Sequence, residues 1–114
     1  MFWLLDSASW ADMGIDAVLR GDSGEELASV PDAAMVLSRA ASSAAFAESR
    51  LLRYLVPWGD AIFNQAQAPD LRDDIRVYVE ANSKSPAGEH LRLVGELVEQ
   101  LAAQTHAYLW FIGD

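Results

Sequence analysis

The sequence lacks cysteine altogether, and it has only 8 basic residues against 17 acidic ones. Without cysteine the chain cannot form a disulfide, an iron–sulfur cluster, a thiolate zinc site or a cysteine nucleophile. The shortage of lysine and arginine argues against direct binding to nucleic acid or to an anionic membrane, because those side chains bind phosphate groups. The formal net charge of -9 favours solubility or a basic protein partner instead.

Long hydrophobic runs are also missing. No apolar stretch approaches the roughly 20 residues that a membrane-spanning helix requires. The longest one, residues 33–56, is interrupted by charged side chains at positions 39, 48, 50 and 53. The apolar start of the chain, MFWLLD, has no lysine or arginine and is too short for a signal peptide. These absences predict a cytoplasmic protein that does not bind membranes.

Residues for catalysis and cofactor binding are scarce. The two histidines, His90 and His106, would lie on nearly opposite faces of one helix, where they cannot share a metal ion. The sequence has neither an HExxH motif nor a glycine-rich phosphate loop. We therefore expect no catalytic residue, no metal site and no cofactor, and we predict that the chain is not an enzyme. His90 follows Glu89 near a helix start, which predicts a solvated position.

A strong helical pattern occupies the last quarter of the chain. Ser85 and Pro86 form a typical helix start, a capping hydroxyl followed by a first-turn proline. Apolar side chains then recur at helical spacing, which places them on one face of a helix. They are Leu91, Val94, Val98, Leu101, Tyr108 and Ile112. This pattern predicts one long helix over residues 86–112.

Small residues lie beside that apolar face. Gly88, Gly95 and Ala102 share one position of a heptad, and residues 40–45 form a stretch of alanine and serine. Small side chains let two backbones approach closely, so we expect this stretch to pack against Gly95. In that case Gly95→Leu would destabilise the fold strongly.

Capping residues, glycines and prolines divide the remaining chain into predicted helices. These helices cover residues 10–20, 24–29, 31–56 and 58–67. Residues 70–82 are ambiguous, because their apolar side chains alternate with strand period while Asp70 is a good N-cap. We favour a helix there.

Together these segments predict an all-α fold, a small bundle of about five helices. It forms a single helical domain over residues 1–114, in which the helices 31–56 and 86–112 are an antiparallel spine. The composition is rich in alanine and contains far more arginine than lysine, which indicates a GC-rich genome and hence a bacterial or phage source.

The aromatic end of the chain is the first candidate for a binding site. After His106 the predicted last helix is apolar on all sides, so another surface must cover it. That surface is either the start of the chain, through Phe2, Trp3 and Leu4, or a protein partner. Tryptophan and tyrosine dominate interface hot spots. The candidate residues here are Tyr108, Trp110 and Phe111.

The acidic segment Asp70, Asp73 and Asp74 is the second candidate, because a basic partner surface could bind it. Trp58, which follows Pro57, is expected at the edge of the core.

Three function classes remain open. The first, which we favour, is a non-enzymatic interaction module: an inhibitor, immunity or adaptor protein that binds another protein with a basic surface. The second is a nucleic-acid mimic that blocks a DNA- or RNA-binding defence protein, of the anti-restriction or anti-CRISPR type. The third is a small-molecule-binding or enzymatic bundle with a pocket lined by Trp10, Trp58, Tyr54 and Tyr78. A homodimer through residues 91–112 also fits, because such apolar seams build coiled coils.

Overall fold

A four-stranded antiparallel sheet packed against two long helices forms the part of the chain that the computed structural model describes, residues 14–113. The strands are β1 (Asp16–Gly21), β2 (Glu26–Val30), β3 (Asp60–Phe63) and β4 (Ala107–Ile112). The helices are α1 (Val36–Ala40), α2 (Ala44–Ala47), α3 (Ala68–Ala81) and α4 (Pro86–Ala102). Short 3₁₀ turns cover Ala33–Met35, Leu52–Tyr54 and Gln65–Gln67.

The strand order in the sheet is β2-β1-β4-β3, so β1 and β4 lie in its centre. These two strands pair over their whole length, from Asp16 opposite Ile112 to Gly21 opposite Ala107. A bulge between Leu19 and Arg20 shifts the register of β1 against β2. The strands are rich in valine, isoleucine and aromatic residues, which favour a pleated sheet that is half buried.

The hydrophobic core lies between the sheet and the helices. Alternate residues of the central strands face it and are fully or almost fully buried: Ala17, Leu19, Leu109 and Phe111. From α4 the core receives Leu91, Val94, Val98 and Leu101. The apolar face predicted for this helix is therefore confirmed up to Leu101, and it is occupied by this chain's own core. The part of the predicted dimer seam that lies on α4 is thus buried within this chain, while Tyr108 and Ile112 of that seam lie on β4.

The prediction of an all-α bundle is wrong, because the fold is mixed α/β. The helix predicted over residues 86–112 ends at Ala102, and the apolar residues beyond it form β4. Where helices are predicted over residues 10–20 and 24–29, the described chain forms the strands β1 and β2. Pairing with a distant strand decides the structure of these segments, and no local pattern shows it.

The predicted helix 31–56 is also wrong, since the segment forms only short pieces. Ala34 and Met35 have left-handed φ angles of 55° and 60°. Ser43 caps α2 through its hydroxyl, which accepts a hydrogen bond from the backbone N–H of Phe46. Serine side chains that bond the backbone locally favour caps and turns over helix interiors. The predicted helix 58–67 holds β3 and a 3₁₀ turn instead.

The helices predicted from residue 70 onward are correct in type. Of the ambiguous segment 70–82, residues 70–81 are helical as favoured, within α3, although Asp70 lies inside the first turn rather than at the cap. The hydroxyl of Ser85 caps α4 by accepting from the N–H of Gly88, as predicted. No helix in the described range is long and apolar enough to cross a membrane.

The expected packing of Gly95 on the alanine-rich stretch is wrong. A Cβ at Gly95 would meet Cγ2 of Ile75 on α3 at 3.5 Å, which is an ordinary contact. Gly88 makes the close approach instead, because a Cβ there would lie 1.9 Å from the carbonyl oxygen of Asn82. The long helices α3 and α4 thus pack on each other, and the loop between them touches the start of α4.

Candidate functional site

One face of the sheet points away from the helices, and we call it the outer face. It carries the residues of each strand that alternate with the core residues. In β4 these are Tyr108, Trp110 and Ile112, whose neighbours Leu109 and Phe111 are buried. The long helix α4 contacts β1, β2 and β4, and its buried side chains join the core residues on the opposite side of the sheet.

Directly paired residues place the outer-face side chains in three rows across the strands. The middle row is apolar apart from its first member and consists of Ser29, Val18, Trp110 and Ile62. An acidic row lies on one side of it, with Ile112 between Asp16 and Asp60. A mixed row lies on the other side and contains Glu26, Arg20 and Tyr108.

Part of the outer face is accessible to a large molecule. In the middle row Ile62 is 47% exposed whereas Val18 is buried, and in the mixed row Tyr108 is 43% exposed. Trp110 is half-buried, and the guanidinium carbon of Arg20 lies 4.7 Å from the centroid of its ring. This cation–π contact orients the indole. Trp110, Tyr108, Ile62 and Arg20 line a shallow depression that reaches the turn between β1 and β2.

The acidic residues of the strands and of the β1–β2 turn, which we call the acids of the sheet side, form no ion pair with any described residue. They lie on the strands or in the β1–β2 turn: Asp16, Asp22, Glu25, Glu26 and Asp60. The same strands and turn contain a single cation, Arg20. Backbone hydrogen bonding and the Ser23 hydroxyl lower the pKa of Glu25, so this turn carboxylate stays charged well below neutral pH.

The acids of the helical layer are different, because arginines neutralise most of them. Arg72 binds Glu99 through two hydrogen bonds of 2.7 and 3.0 Å. The other pairs are Arg50 with Asp70, Arg92 with Glu89, and Arg76 with both Asp73 and Glu80. The uncompensated negative charge of the described chain therefore collects mainly around the outer face.

The structure separates the three aromatic residues that were singled out in the sequence. Tyr108 and Trp110 lie on the outer face, whereas Phe111 is buried and packs edge-to-face on Phe63 at 5.8 Å between ring centroids. The alternation of a strand makes this division inevitable. The proposed cover by Phe2, Trp3 and Leu4 lies outside the described residues.

All three aspartates from the acidic segment have partners within the chain, although the ion pair of Asp73 is long. Asp74 accepts hydrogen bonds from the backbone N–H groups of Arg50, Leu51 and Leu52. Asp70 forms an ion pair with Arg50 at 2.9 Å. Asp73 is exposed, 3.9 Å from Arg76. This segment therefore attaches α3 to the preceding loop, and it lies on the helical layer, away from the outer face.

The pocket imagined around aromatic residues does not form in the described chain. Trp58 is 75% exposed rather than at the edge of the core, Tyr54 is exposed, and Tyr78 is buried against Phe46. Trp10 lies outside the described residues. His90 is buried, contrary to the solvated position expected, and its Nε2 atom has no hydrogen-bond partner among residues 14–113.

No cluster of three or more metal-ligating side chains occurs among residues 14–113. The outer face instead offers aromatic and aliphatic side chains with a charged margin, which can bind another surface.

Sequence reasoning missed Val18, Ile62 and Arg20, because the strands that carry them were assigned to helices. The strong β propensity of residues 107–112 was the one available signal for the sheet.

A comparison with protein-family models gives no match for this chain, and neither curated proteins nor solved structures match it significantly.

Proposed function

We propose that this chain is a non-enzymatic interaction module, of the inhibitor, immunity or adaptor kind, that binds another protein through the outer face. The observation that carries the proposal is the pair Trp110 and Ile62 in the middle row of the outer face, of which Trp110 is half-buried and Ile62 is 47% exposed. We place the activity in the cytoplasm, where a sequence without cysteine is at no disadvantage.

The residue types of the outer face support a protein partner. Tryptophan, tyrosine and arginine are the residues most enriched at interface hot spots, and Trp110, Tyr108 and Arg20 lie next to one another here. Hot spots lie near the centre of an interface and are surrounded by a polar margin. The acidic and mixed rows provide such a margin on both sides of the apolar row.

The same arrangement favours an interface with an apolar centre over the nucleic-acid-mimic alternative. A phosphate mimic needs carboxylates along the surface that enters the basic groove of its target. On the outer face, an apolar row separates Asp16 and Asp60 from Glu26. Burial of that row against a protein would contribute favourable free energy that a phosphate-binding groove could not supply.

Site-specific photo-crosslinking tests the proposal. The photoreactive amino acid benzoyl-phenylalanine is placed at Ile62 in one variant and at Leu93 in another, and each full-length chain is irradiated in native lysate. The two positions are equally exposed, at 47% and 48%, but Leu93 lies on α4 rather than on the outer face. We expect one discrete crosslinked protein from position 62 and none from position 93.

Capture of the same protein by two substituted chains completes the test. Ile62→Lys should abolish capture of the crosslinked protein, because the substitution puts a charge into the apolar row, whereas Leu93→Lys should leave capture unchanged. Equal crosslinking from both positions, or capture that survives Ile62→Lys, would contradict the proposal.

A further inference from the structure

From the charge distribution around the outer face we infer that its partner is a basic protein surface, with a lysine or arginine next to an apolar anchor. This inference rests on the proposed function and adds the chemistry of the partner. Its first support is the contrast between the two layers of the fold. Arginines pair with Asp70, Glu80, Glu89 and Glu99 on the helical layer, but no described cation pairs with the acids of the sheet side.

The second support is the position of two of these acids within the rows. Asp16 and Asp60 are both paired with Ile112, one on each side of it. Strands lie about 4.8 Å apart, so these two residues are separated by about 10 Å across the sheet. A cationic side chain placed over Ile112 can therefore approach both carboxylates.

The carboxylates retain capacity to accept further hydrogen bonds. One oxygen of Asp16 accepts from the backbone N–H of Asp32 at 2.9 Å, and this bond fixes the direction of the side chain. Asp60 is exposed and makes no side-chain hydrogen bond within the described chain. Carboxylates accept two or more bonds per oxygen pair, so both groups can bind a guanidinium or an ammonium.

The arrangement also gives the partner an orientation. Arg20, the one cation of the strands, belongs to the mixed row, which the middle row separates from Asp16 and Asp60, and its guanidinium lies over the ring of Trp110. A basic group of the partner is attracted to the acidic row and repelled from Arg20. Its apolar anchor then falls on Trp110 and Ile62, in the middle row.

Selection from a display library of random dodecamer peptides tests the inference with a defined probe. The immobilised full-length chain selects peptides, and binders to the Ile62→Lys variant are removed. We expect the enriched peptides to combine lysine or arginine with an aromatic or aliphatic residue. The affinity of such a peptide should fall about fivefold in Asp60→Lys, and it should fall further with added salt.

Glu96→Lys is the matched control for Asp60→Lys, because Glu96 is an exposed acid on α4 without an ion pair in the described chain. It changes the net charge equally and should leave peptide affinity unchanged. Circular dichroism of both variants confirms that each is folded.

The outcomes separate the two proposals. Enriched peptides that need Ile62 but are acidic or uncharged would overturn the basic partner while leaving the outer face as the binding surface. Equal losses of affinity in Asp60→Lys and Glu96→Lys would overturn it as well, since the effect would then be one of total charge. Sedimentation that shows self-association abolished by Ile62→Lys would make a second copy the occupant. If no peptide depends on Ile62, the proposed function itself fails.

Discussion

The carboxylate of Asp74 accepts a 2.8 Å hydrogen bond from the backbone N–H of Leu51, which joins the middle of α3 to the turn that precedes β3. The same carboxylate accepts from Arg50 and Leu52, each at 3.2 Å. A single side chain thus satisfies three donors that have no helix or strand partner at the start of a 3₁₀ turn. The acidic segment noticed in the sequence has a clear role in the stability of the fold.

We predict that Asp74→Ala lowers the free energy of unfolding by about 2 kcal/mol, because it leaves half-buried N–H groups without an acceptor. Asp73→Ala is the control, since Asp73 is the exposed neighbour on the same helix, and it should change stability by less than about 0.5 kcal/mol. Urea denaturation of both variants measures the difference. Equal losses would show that general charge, rather than these hydrogen bonds, explains the effect.

The two glycines of α4 should respond to alanine in opposite ways. Gly95→Ala should raise the free energy of unfolding by about 1 kcal/mol, because a methyl group fits against Ile75 and alanine favours the helix. Gly88→Ala should lower it by about 2 kcal/mol, because the new Cβ collides with the backbone carbonyl of Asn82. Thermal unfolding of the pair is the measurement. A stabilising Gly88→Ala would refute the close approach.

The left-handed residues before α1 should be relieved by glycine. A non-glycine residue with φ near 55°, such as Ala34, costs roughly 1 kcal/mol. Ala34→Gly should therefore stabilise the chain or leave it unchanged, despite the larger entropy of the unfolded state. Ala33→Gly, at a position without positive φ, should lower the free energy of unfolding by about 0.5–1 kcal/mol. Chemical denaturation of the two variants distinguishes them, and a larger loss in Ala34→Gly would be the contrary result.

Alkaline stability should depend on Tyr78. Burial raises the pKa of its hydroxyl, so the folded chain holds this proton more tightly than the unfolded chain does. The resulting stability is fully present below the unfolded pKa of about 10 and is lost as the pH rises through the folded value.

Tyr78→Phe keeps the ring against Phe46 but removes the hydroxyl. The fall in melting temperature between about pH 9 and pH 11, the range in which free tyrosine titrates, should therefore be shallower in this variant. Tyr108→Phe removes an exposed hydroxyl and is the control for the general effect of high pH. Parallel curves for all three proteins would mean that burial of Tyr78 does not contribute.

The two long helices could be predicted because their signals are local. Ser85 and Pro86 mark the start of α4, and the spacing of Leu91, Val94 and Leu101 identifies its buried face. The end of α4 could not be predicted. Residues 102–106 contain neither glycine nor proline, and Tyr108 and Ile112 continue the helical spacing by coincidence.

The sheet was missed because its pairing joins distant parts of the chain. In β4 every residue is apolar, so neither strand nor helix period is visible, and its partners lie near the other end of the sequence. For the same reason only Tyr108 and Trp110 of the candidate surface were found. Their neighbours Val18 and Ile62 come from other strands and become neighbours only through the register of the sheet.

The position of β4 between β1 and β3 also bears on how the chain folds. The helices α3 and α4 are adjacent in sequence, so their contact can form within one short segment. The β1–β4 pair joins the two ends of the described chain, and non-local pairing of this kind slows folding. In the sheet described here β3 has no neighbour except β4. A chain interrupted before Ala107 would therefore expose the unpaired edges of β1 and β3 together, and such edges are templates for aggregation.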